Sequence, residues 1–185
     1  MLKAIALTGM PGSGKTLIAS LAAEMGILVF SCGDAVREVA LERGLKPTSD
    51  VLGRLMFELR ESEGPTAVVG RVVSKMKKRS PPGGVVLVEG IRSLAEVEEL
   101  KTSFKVSIMA VHSSPSTRFK RLKSRGRSDD PKDVEEFHLR DRRELEVGVG
   151  EVIALADIML INEGSLTAFK ADIEEKLRSW LIDES

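Results

Sequence analysis

A glycine-rich loop, GMPGSGKT at residues 9–16, constrains the fold of this chain more than any other stretch. It matches the pattern G-x-x-x-x-G-K-[ST], in which backbone N–H groups surround phosphate groups. The apolar run AIALT precedes the loop at residues 4–8, and a helical pattern follows from Thr16 to Glu24. The motif requires this context of strand, loop and helix, because the helix N-terminus adds partial positive charge. The loop therefore predicts a nucleoside triphosphate site in an α/β protein.

Each part of the loop has a role in this geometry. Lys15 can reach the β- and γ-phosphates, and the Thr16 hydroxyl can coordinate Mg²⁺. The glycines let the backbone turn its N–H groups inward. We expect ATP to contact the whole loop: Gly9, Met10, Pro11, Gly12, Ser13, Gly14, Lys15 and Thr16.

The rest of the chain alternates between apolar runs and helical patterns. Further strands are predicted at residues 27–30, 85–88, 106–111 and 157–161. Further helices are predicted at residues 34–43, 49–61, 66–79, 93–101, 115–125, 132–147 and 166–181. This alternation is typical of a parallel sheet with helices on both faces. We predict one α/β domain over residues 1–185, with a helical insertion at about 34–80, in which the helical pair at residues 48–79 forms a small flap beside the sheet.

Composition excludes several classes of protein. The 28 basic and 28 acidic side chains cancel, so charge gives no argument for a nucleic acid or membrane partner. Cys32 is the only cysteine, which excludes an internal disulfide framework and suits a reducing compartment. No run approaches the roughly 18 apolar residues of a membrane span. We expect a cytoplasmic protein.

Charged residues follow the second and third predicted strands. Asp34 and Arg37 come after the strand at residues 27–30, and Glu89 and Arg92 come at the end of VVLV. Ligands of open α/β sheets bind at the carboxyl ends of strands, so these four side chains should meet near the phosphates. The structural alternative is that Asp34 caps a helix and Arg37 lies in solvent.

Three motifs together, GMPGSGKT, GDAVR and EGIR, resemble those of P-loop nucleoside monophosphate kinases, adenylate kinase above all. The resemblance implies a three-layer P-loop kinase fold with a five-stranded parallel sheet. It also implies that Arg37 and Arg92 bind the acceptor phosphate, while Asp34 and Glu89 hold waters bound to the metal. Glu89 replaces the usual aspartate, and the third motif lacks the usual proline.

A basic stretch, RLKSRGRSDD, resembles the mobile lid of these kinases. Arg121, Arg125 and Arg127 surround Gly126, and Arg140 follows in the next predicted helix. The resemblance implies a short lid at about residues 121–143 that brings arginines to the phosphates. The alternative is that nearby acids merely pair with these arginines, the candidates being Asp129, Asp130 and Asp141.

The segment ADIMLINEGSL, residues 156–166, resembles the last strand of dephospho-coenzyme A kinases. The resemblance implies that Asn162 and Gly164 lie near the adenine of ATP. A plain turn with a serine cap is the alternative. The segments at residues 43–72 and 140–157 resemble an archaeal family of adenylate kinase-related, dephospho-coenzyme A kinase-like proteins.

We therefore predict an ATP-dependent kinase acting on a small nucleotide, most simply a nucleoside monophosphate, with Mg²⁺. Asp34 would orient the acceptor oxygen, and the other catalytic candidates are Lys15, Arg121, Arg127 and Arg140. Two alternatives stay open. Transfer to a ribose hydroxyl, as in dephospho-coenzyme A kinases, is one, and a slow ATPase switch that binds a macromolecule is the other.

Overall fold

A parallel sheet forms the centre of the molecule. The structure, a computed structural model, describes residues 2–81, 83–127 and 130–183. Its described residues form a five-stranded sheet in the order β2-β3-β1-β4-β5, with every neighbouring pair parallel. The strands are β1 Leu2–Thr8, β2 Leu28–Ser31, β3 Val85–Glu89, β4 Phe104–His112 and β5 Ile158–Ile161. The predicted α/β class and all five predicted strands are confirmed.

Helices cover both faces of the sheet. They are α1 Lys15–Glu24, α2 Cys32–Glu42, α3 Ser49–Glu63, α4 Ala67–Arg79, α5 Leu94–Lys101, α6 Pro115–Arg125, α7 Val134–Val147, α8 Val149–Ala154 and α9 Leu166–Asp183. Among the described residues, no helix has the length and apolar character needed to span a membrane.

Two hydrophobic cores lie on opposite faces of the sheet, because successive side chains of a strand point to opposite sides. On β1, Ala4 and Ala6 enter the core formed with α2, α3, α4 and α5. Ile5 and Leu7 enter the second core, formed with α1 and α9. That second core also buries Trp180, whose exposed fraction is 6%.

The helical pair α3 and α4 differs from the flap that the sequence predicted. Val69, Val72 and Met76 of α4 are fully or almost fully buried in the first core, and Leu59 of α3 is buried with them. The pair is therefore part of the core. The length of the connection between β2 and β3 predicted the extra helices, but this length carries no information on how deeply the helices pack against the sheet.

One helix start and one additional helix differ from the prediction, and in each case a capping residue explains the difference. The Ser31 side chain accepts a hydrogen bond from the backbone N–H of Asp34, so α2 starts earlier than predicted and Asp34 is not its cap. Gly148, with φ 112°, ends α7 and allows the short helix α8 to follow, which the sequence analysis did not predict. A left-handed φ of this kind favours glycine.

Candidate active site

One cleft of about 630 Å³ opens at the carboxyl ends of β1, β2 and β3. The glycine-rich loop and the residues that follow the second and third strands line it together. The predicted site residues found there are Gly9, Pro11, Gly12, Gly14, Lys15, Thr16, Asp34, Arg37, Glu89, Arg92, Arg121, Arg125, Arg127 and Arg140. The structure thus brings most of the predicted site to one place.

The loop holds Lys15 against its own backbone. The Lys15 ammonium donates to the carbonyl oxygens of Gly9 at 2.6 Å and Met10 at 3.1 Å. Desolvation lowers the pKa of Lys15 to about 8, although the carboxylate of Glu144 acts in the opposite direction. Gly9 is required at its position, because a Cβ there would lie 2.4 Å from the backbone oxygen of Val111 and φ is +143°.

Asn162 supports the underside of the loop. Its side-chain Nδ2 donates to the backbone oxygen of Ser13 at 2.8 Å. The same Nδ2 would lie 2.5 Å from a Cβ at Gly14, so the Asn162 side chain packs directly against the backbone of the loop. Asn162 is buried and Gly164 is exposed, and neither belongs to the cleft lining. A role of these residues near adenine stays a prediction, whereas the structure gives Asn162 a role in shaping the loop.

Arg118 is a buried residue that the sequence analysis did not single out. Its guanidinium binds both carboxylate oxygens of Asp141 at 2.8 and 2.6 Å and donates to the backbone oxygen of Pro11 at 3.2 Å. It also lies 4.9 Å from the ring centroid of Phe137. Arg118, a residue of α6, therefore connects α7 and the glycine-rich loop through hydrogen bonds. Asp141 thus pairs with Arg118, and not with one of the lid arginines that the alternative interpretation named.

Asp34 and Arg37, from the second motif, and Arg92 line the part of the cleft that we call the acceptor side, after the role predicted from the sequence. Arg37 Nη1 lies 2.6 Å from Asp34 Oδ1, and both side chains are about half exposed or more, at 48% and 65%. Asp34 is on the first turn of α2, where the positive end of the helix favours a carboxylate. The pair is open to a ligand that enters the cleft.

Arg92, from the third motif, is held more tightly. Its Nε donates to Glu144 Oε2 at 2.7 Å, and its Nη1 donates to the backbone oxygen of Gly90 at 3.3 Å. The charge of Glu144 is the main cause that raises the pKa of Arg92 above its usual value. Burial acts to raise the pKa of Glu144, but Arg92, with smaller contributions from Lys15 and Arg140, outweighs it and holds that pKa below its usual range. Glu144 also lines the cleft.

The sequence analysis missed Glu144. Its only signal is its place in the α7 sequence RDRREL, four residues after Arg140 and so on the same face of the helix. An acid in a run of mixed charges is usually a solvated residue, and only the fold shows that this one faces a partly buried arginine.

Arg121, Arg125, Arg127 and Arg140 line the part of the cleft that we call the donor side, after their predicted role, and three of them approach one acid. Arg125 binds Asp130 through Nε at 2.9 Å and Nη2 at 2.5 Å, and the backbone N–H of Arg127 donates to the same carboxylate at 2.9 Å. Arg140 Nη1 lies 3.6 Å from Asp130. Burial acts to raise the pKa of Asp130, but these partners outweigh it and lower that pKa. Asp129 lies outside the described residues.

Arg121 joins the donor side to the last strand. Its Nη2 donates to the backbone and side-chain oxygens of Asn162 at 3.1 and 3.0 Å, and its Nη1 donates to Ser113 Oγ at 2.9 Å. Asn162 therefore contacts both the loop and Arg121, and Arg121 also lines the cleft.

A magnesium ion fits the donors of this cleft. The hydroxyl of Thr16 and the carboxylates of Asp34 and Glu89 line the same cavity, and Mg²⁺ prefers oxygen ligands completed by water and phosphate. Among the described residues, no three His, Cys, Asp or Glu side chains form an all-protein metal site.

Comparison with known proteins identifies the family. Residues 5–145 match the family model AAA_18, described as an AAA domain. A UPF0200 protein of Pyrococcus abyssi is 47% identical over 180 residues, which cover 96% of both chains. A UPF0200 protein of Hyperthermus butylicus is 50% identical over 173 residues, covering 94% of this chain and 92% of its own. The chain is an AAA domain protein of the UPF0200 family.

Solved structures show the same fold at low sequence identity. TT1252 from Thermus thermophilus has a TM-score of 0.67 at 22% identity, with 99% of this chain and 98% of that chain covered. A gluconokinase from Sinorhizobium meliloti 1021 has a TM-score of 0.59 at 16% identity, with 99% and 97% covered. A shikimate kinase from Acinetobacter baumannii in complex with shikimate has a TM-score of 0.58 at 18% identity, with 99% and 95% covered. The UPF0200 chain therefore has the P-loop kinase fold that the motifs predicted.

Proposed function

We propose that this UPF0200 protein transfers the γ-phosphate of ATP to a small nucleotide acceptor, a nucleoside monophosphate. One observation carries the proposal. A single cleft is lined by the glycine-rich loop, by Arg37 of α2 and Arg92 after β3, and by Arg121, Arg125, Arg127 and Arg140 of α6, α7 and the segment between them. Two separate sets of arginines suit two phosphate-bearing ligands with the transferred group between them.

The loop would bind the triphosphate of the donor. Backbone N–H groups and Lys15 contact the phosphates, and Lys15 would exchange its present carbonyl partners for phosphate oxygens. Mg²⁺, held by Thr16 and through water by Asp34 and Glu89, would neutralise charge on the β- and γ-phosphates.

The donor-side arginines would stabilise the charge of the moving phosphoryl group. Phosphoryl transfer depends on positioning and charge neutralisation more than on covalent chemistry by the protein. Arg121 is held by Asn162, whereas Arg125 is the last residue of α6 and Arg127 lies beyond Gly126, which ends that helix. We propose that the segment at about residues 121–143 closes over the cleft as a lid and excludes water.

The acceptor would enter beside α2. Arg37 and Arg92 would bind its phosphate, and Asp34 would orient the oxygen that attacks the γ-phosphate. An acceptor phosphate needs little general-base help, so Asp34 mainly fixes geometry in this reaction.

Transfer to a hydroxyl group, as in a dephospho-coenzyme A kinase, is the second candidate. The exposed carboxylate of Asp34 in the cleft favours it, because a hydroxyl must lose its proton to a nearby base. Two of the proteins that share the fold are named for shikimate and gluconate, which carry hydroxyl groups. A hydroxyl acceptor would make Asp34 essential as a base.

A slow ATPase switch that acts with a macromolecule is the rival from another class. Such a protein needs no clamp for an acceptor phosphate. Its turnover would rise with a protein or RNA partner and would ignore every small acceptor.

The test is ATP consumption with Mg²⁺ against a panel of nucleoside monophosphates and dephospho-coenzyme A. We expect one nucleoside monophosphate to raise turnover well above the rate without acceptor. Arg37→Ala should abolish this gain, and Arg178→Ala, an exposed arginine on α9, is the matched control that should keep it. A gain with dephospho-coenzyme A alone would support the second candidate, and turnover that ignores every acceptor would support the switch.

A further inference from the structure

The contacts of Arg92 leave part of its guanidinium available to a ligand. Glu144 binds Nε and the Gly90 carbonyl oxygen binds Nη1. Among the described residues, Nη2 has no hydrogen-bond partner, and Arg92 lines the cleft. A guanidinium is planar with five N–H donors in a fixed fork, so holding one edge sets the direction of the others.

A buried ion pair fixes the backbone behind Arg92. Glu96 is fully buried, and its two oxygens accept from the Arg92 backbone N–H at 2.8 Å and from Arg60 Nη2 at 2.6 Å. The Nε and Nη1 of Arg60 are buried without a hydrogen-bond partner among the described residues. Such an incompletely paired charge is weak support for stability. Its clear structural effect is to hold the residue that carries the acceptor-side guanidinium.

The helix that carries Glu144 contributes a second residue to the cleft. Arg140 lies one turn before Glu144 on α7 and is 3.6 Å from Asp130 on the donor side. Positions four residues apart share a face, so the same face of α7 approaches both Arg92 and Asp130.

We propose that Glu144 is a positioning residue that directs the terminal nitrogens of Arg92 toward the acceptor, while Glu96 and Arg60 fix the backbone from which Arg92 extends. This inference rests on the proposed function and names the residues that set up its acceptor site. Glu144 acts on the acceptor through Arg92, and no bond to Glu144 forms or breaks in the reaction.

The first test is the steady-state kinetics of Glu144→Gln with the acceptor found by the panel. The change keeps the size of the side chain and removes its charge. We expect the KM for the acceptor to rise about tenfold or more, since small displacements of a positioning group have effects of this order or larger. The KM for ATP should rise by a smaller factor. Glu146→Gln, at an exposed position of the same helix, is the matched control and should change neither constant.

Two further variants separate positioning from a general structural effect. In an Arg92→Ala background, the added change Glu144→Gln should alter the acceptor KM by less than about twofold, because residues in one network are not additive. Glu144→Asp keeps the charge but shortens the side chain, and it replaces Glu144→Gln if circular dichroism shows that the amide variant is unfolded. We expect it also to raise the acceptor KM.

The outcomes that overturn the inference differ from those that overturn the proposed function. An unchanged or lower acceptor KM in folded Glu144→Gln, an equal rise in both KM values, or a full effect without Arg92 would overturn the role of Glu144. Calorimetry of AMP binding without ATP gives a reading independent of turnover, and equal affinity for wild type and variant would also overturn it. A wild-type protein that neither binds nor uses any acceptor overturns the proposed function, and the inference with it.

Discussion

The acceptor side and the donor side of the cleft, called the acceptor end and the donor end below, hold their arginines in different ways. At the donor end, Arg125, the backbone of Arg127 and Arg140 all approach the single carboxylate of Asp130. At the acceptor end, each arginine has an acid of its own, Asp34 for Arg37 and Glu144 for Arg92. The donor end therefore has an excess of positive charge, whereas the acceptor end is close to neutral.

The difference indicates separate tasks for the two ends. A triphosphate and a moving phosphoryl group carry high negative charge, and unbalanced arginines stabilise that charge in a site shielded from water. Arginines that are already paired to acids contribute mainly by orienting the bound ligand. We expect donor-end substitutions to change kcat and acceptor-end substitutions to change the KM for the acceptor.

The largest expected effect is on turnover. Arg127→Ala should lower kcat by about 10³-fold, because a transition-state arginine has an effect of this order in phosphoryl transfer. Single-turnover measurements at saturating ATP and acceptor would test this. Arg37→Ala, its counterpart at the acceptor end, should instead raise the acceptor KM. If both variants change the same constant by the same factor, the two ends do not have separate tasks.

The next effect is expected on the free energy of unfolding when an ion pair at the acceptor end is removed. Glu96→Ala leaves the Arg60 guanidinium buried without its ion-pair partner and should lower the free energy of unfolding by about 3–5 kcal/mol. Asp34→Ala removes an exposed pair and should cost less than about 1 kcal/mol. Urea denaturation followed by circular dichroism measures both. Equal costs would mean that burial does not distinguish the two pairs.

A smaller effect is expected on the free energy of unfolding at acidic pH. Arg92 holds the pKa of Glu144 below its ordinary value of 4.5 in the folded protein. The stabilisation from this ionised carboxylate is therefore present above pH 4.5 and is lost as the pH falls through the lower pKa of the folded state. The unfolding free energy of Glu144→Gln should fall less steeply than that of wild type below pH 4.5. Parallel curves in that range would contradict the pairing of Glu144 with Arg92.

A further effect is expected on the rate of a thiol reagent, which compares the native with the unfolded protein. Cys32 is buried beside the acceptor end, and burial raises its pKa to about 12, with the Glu96 carboxylate acting in the same direction. Since the thiolate is the reactive form, the native thiol at pH 8 should react about a thousandfold more slowly than that of the urea-unfolded protein. Absorbance with a disulfide reagent would follow this, and rapid native labelling would show that the acceptor end opens.

Much of the fold followed from local patterns. The strand–loop–helix context of residues 4–24 and the apolar runs of β3 and β4 predicted the parallel sheet, because each signal lies within one continuous segment. The ends of the strands then predicted that Asp34, Arg37, Glu89 and Arg92 would meet, and they line one cleft.

The residues that support the site were not predictable in this way. Glu144 contacts Arg92 across 52 positions of sequence, and Asn162 contacts Ser13 across 149. A carboxylate or an amide has no periodic pattern that identifies its partner, so these contacts follow only from the packing of α7 and β5. The burial of α4 has the same origin, since its apolar face was visible but its depth was not.

Trp180 has a practical consequence for all these measurements. It is the only tryptophan of a chain without tyrosine, and it lies in the core of α1 and α9, outside the cleft lining. Its fluorescence therefore comes from one residue on the far side of the sheet from α3 and α4 and reports on that core alone. The protein contains its own optical probe of folding, one that a ligand in the cleft does not touch.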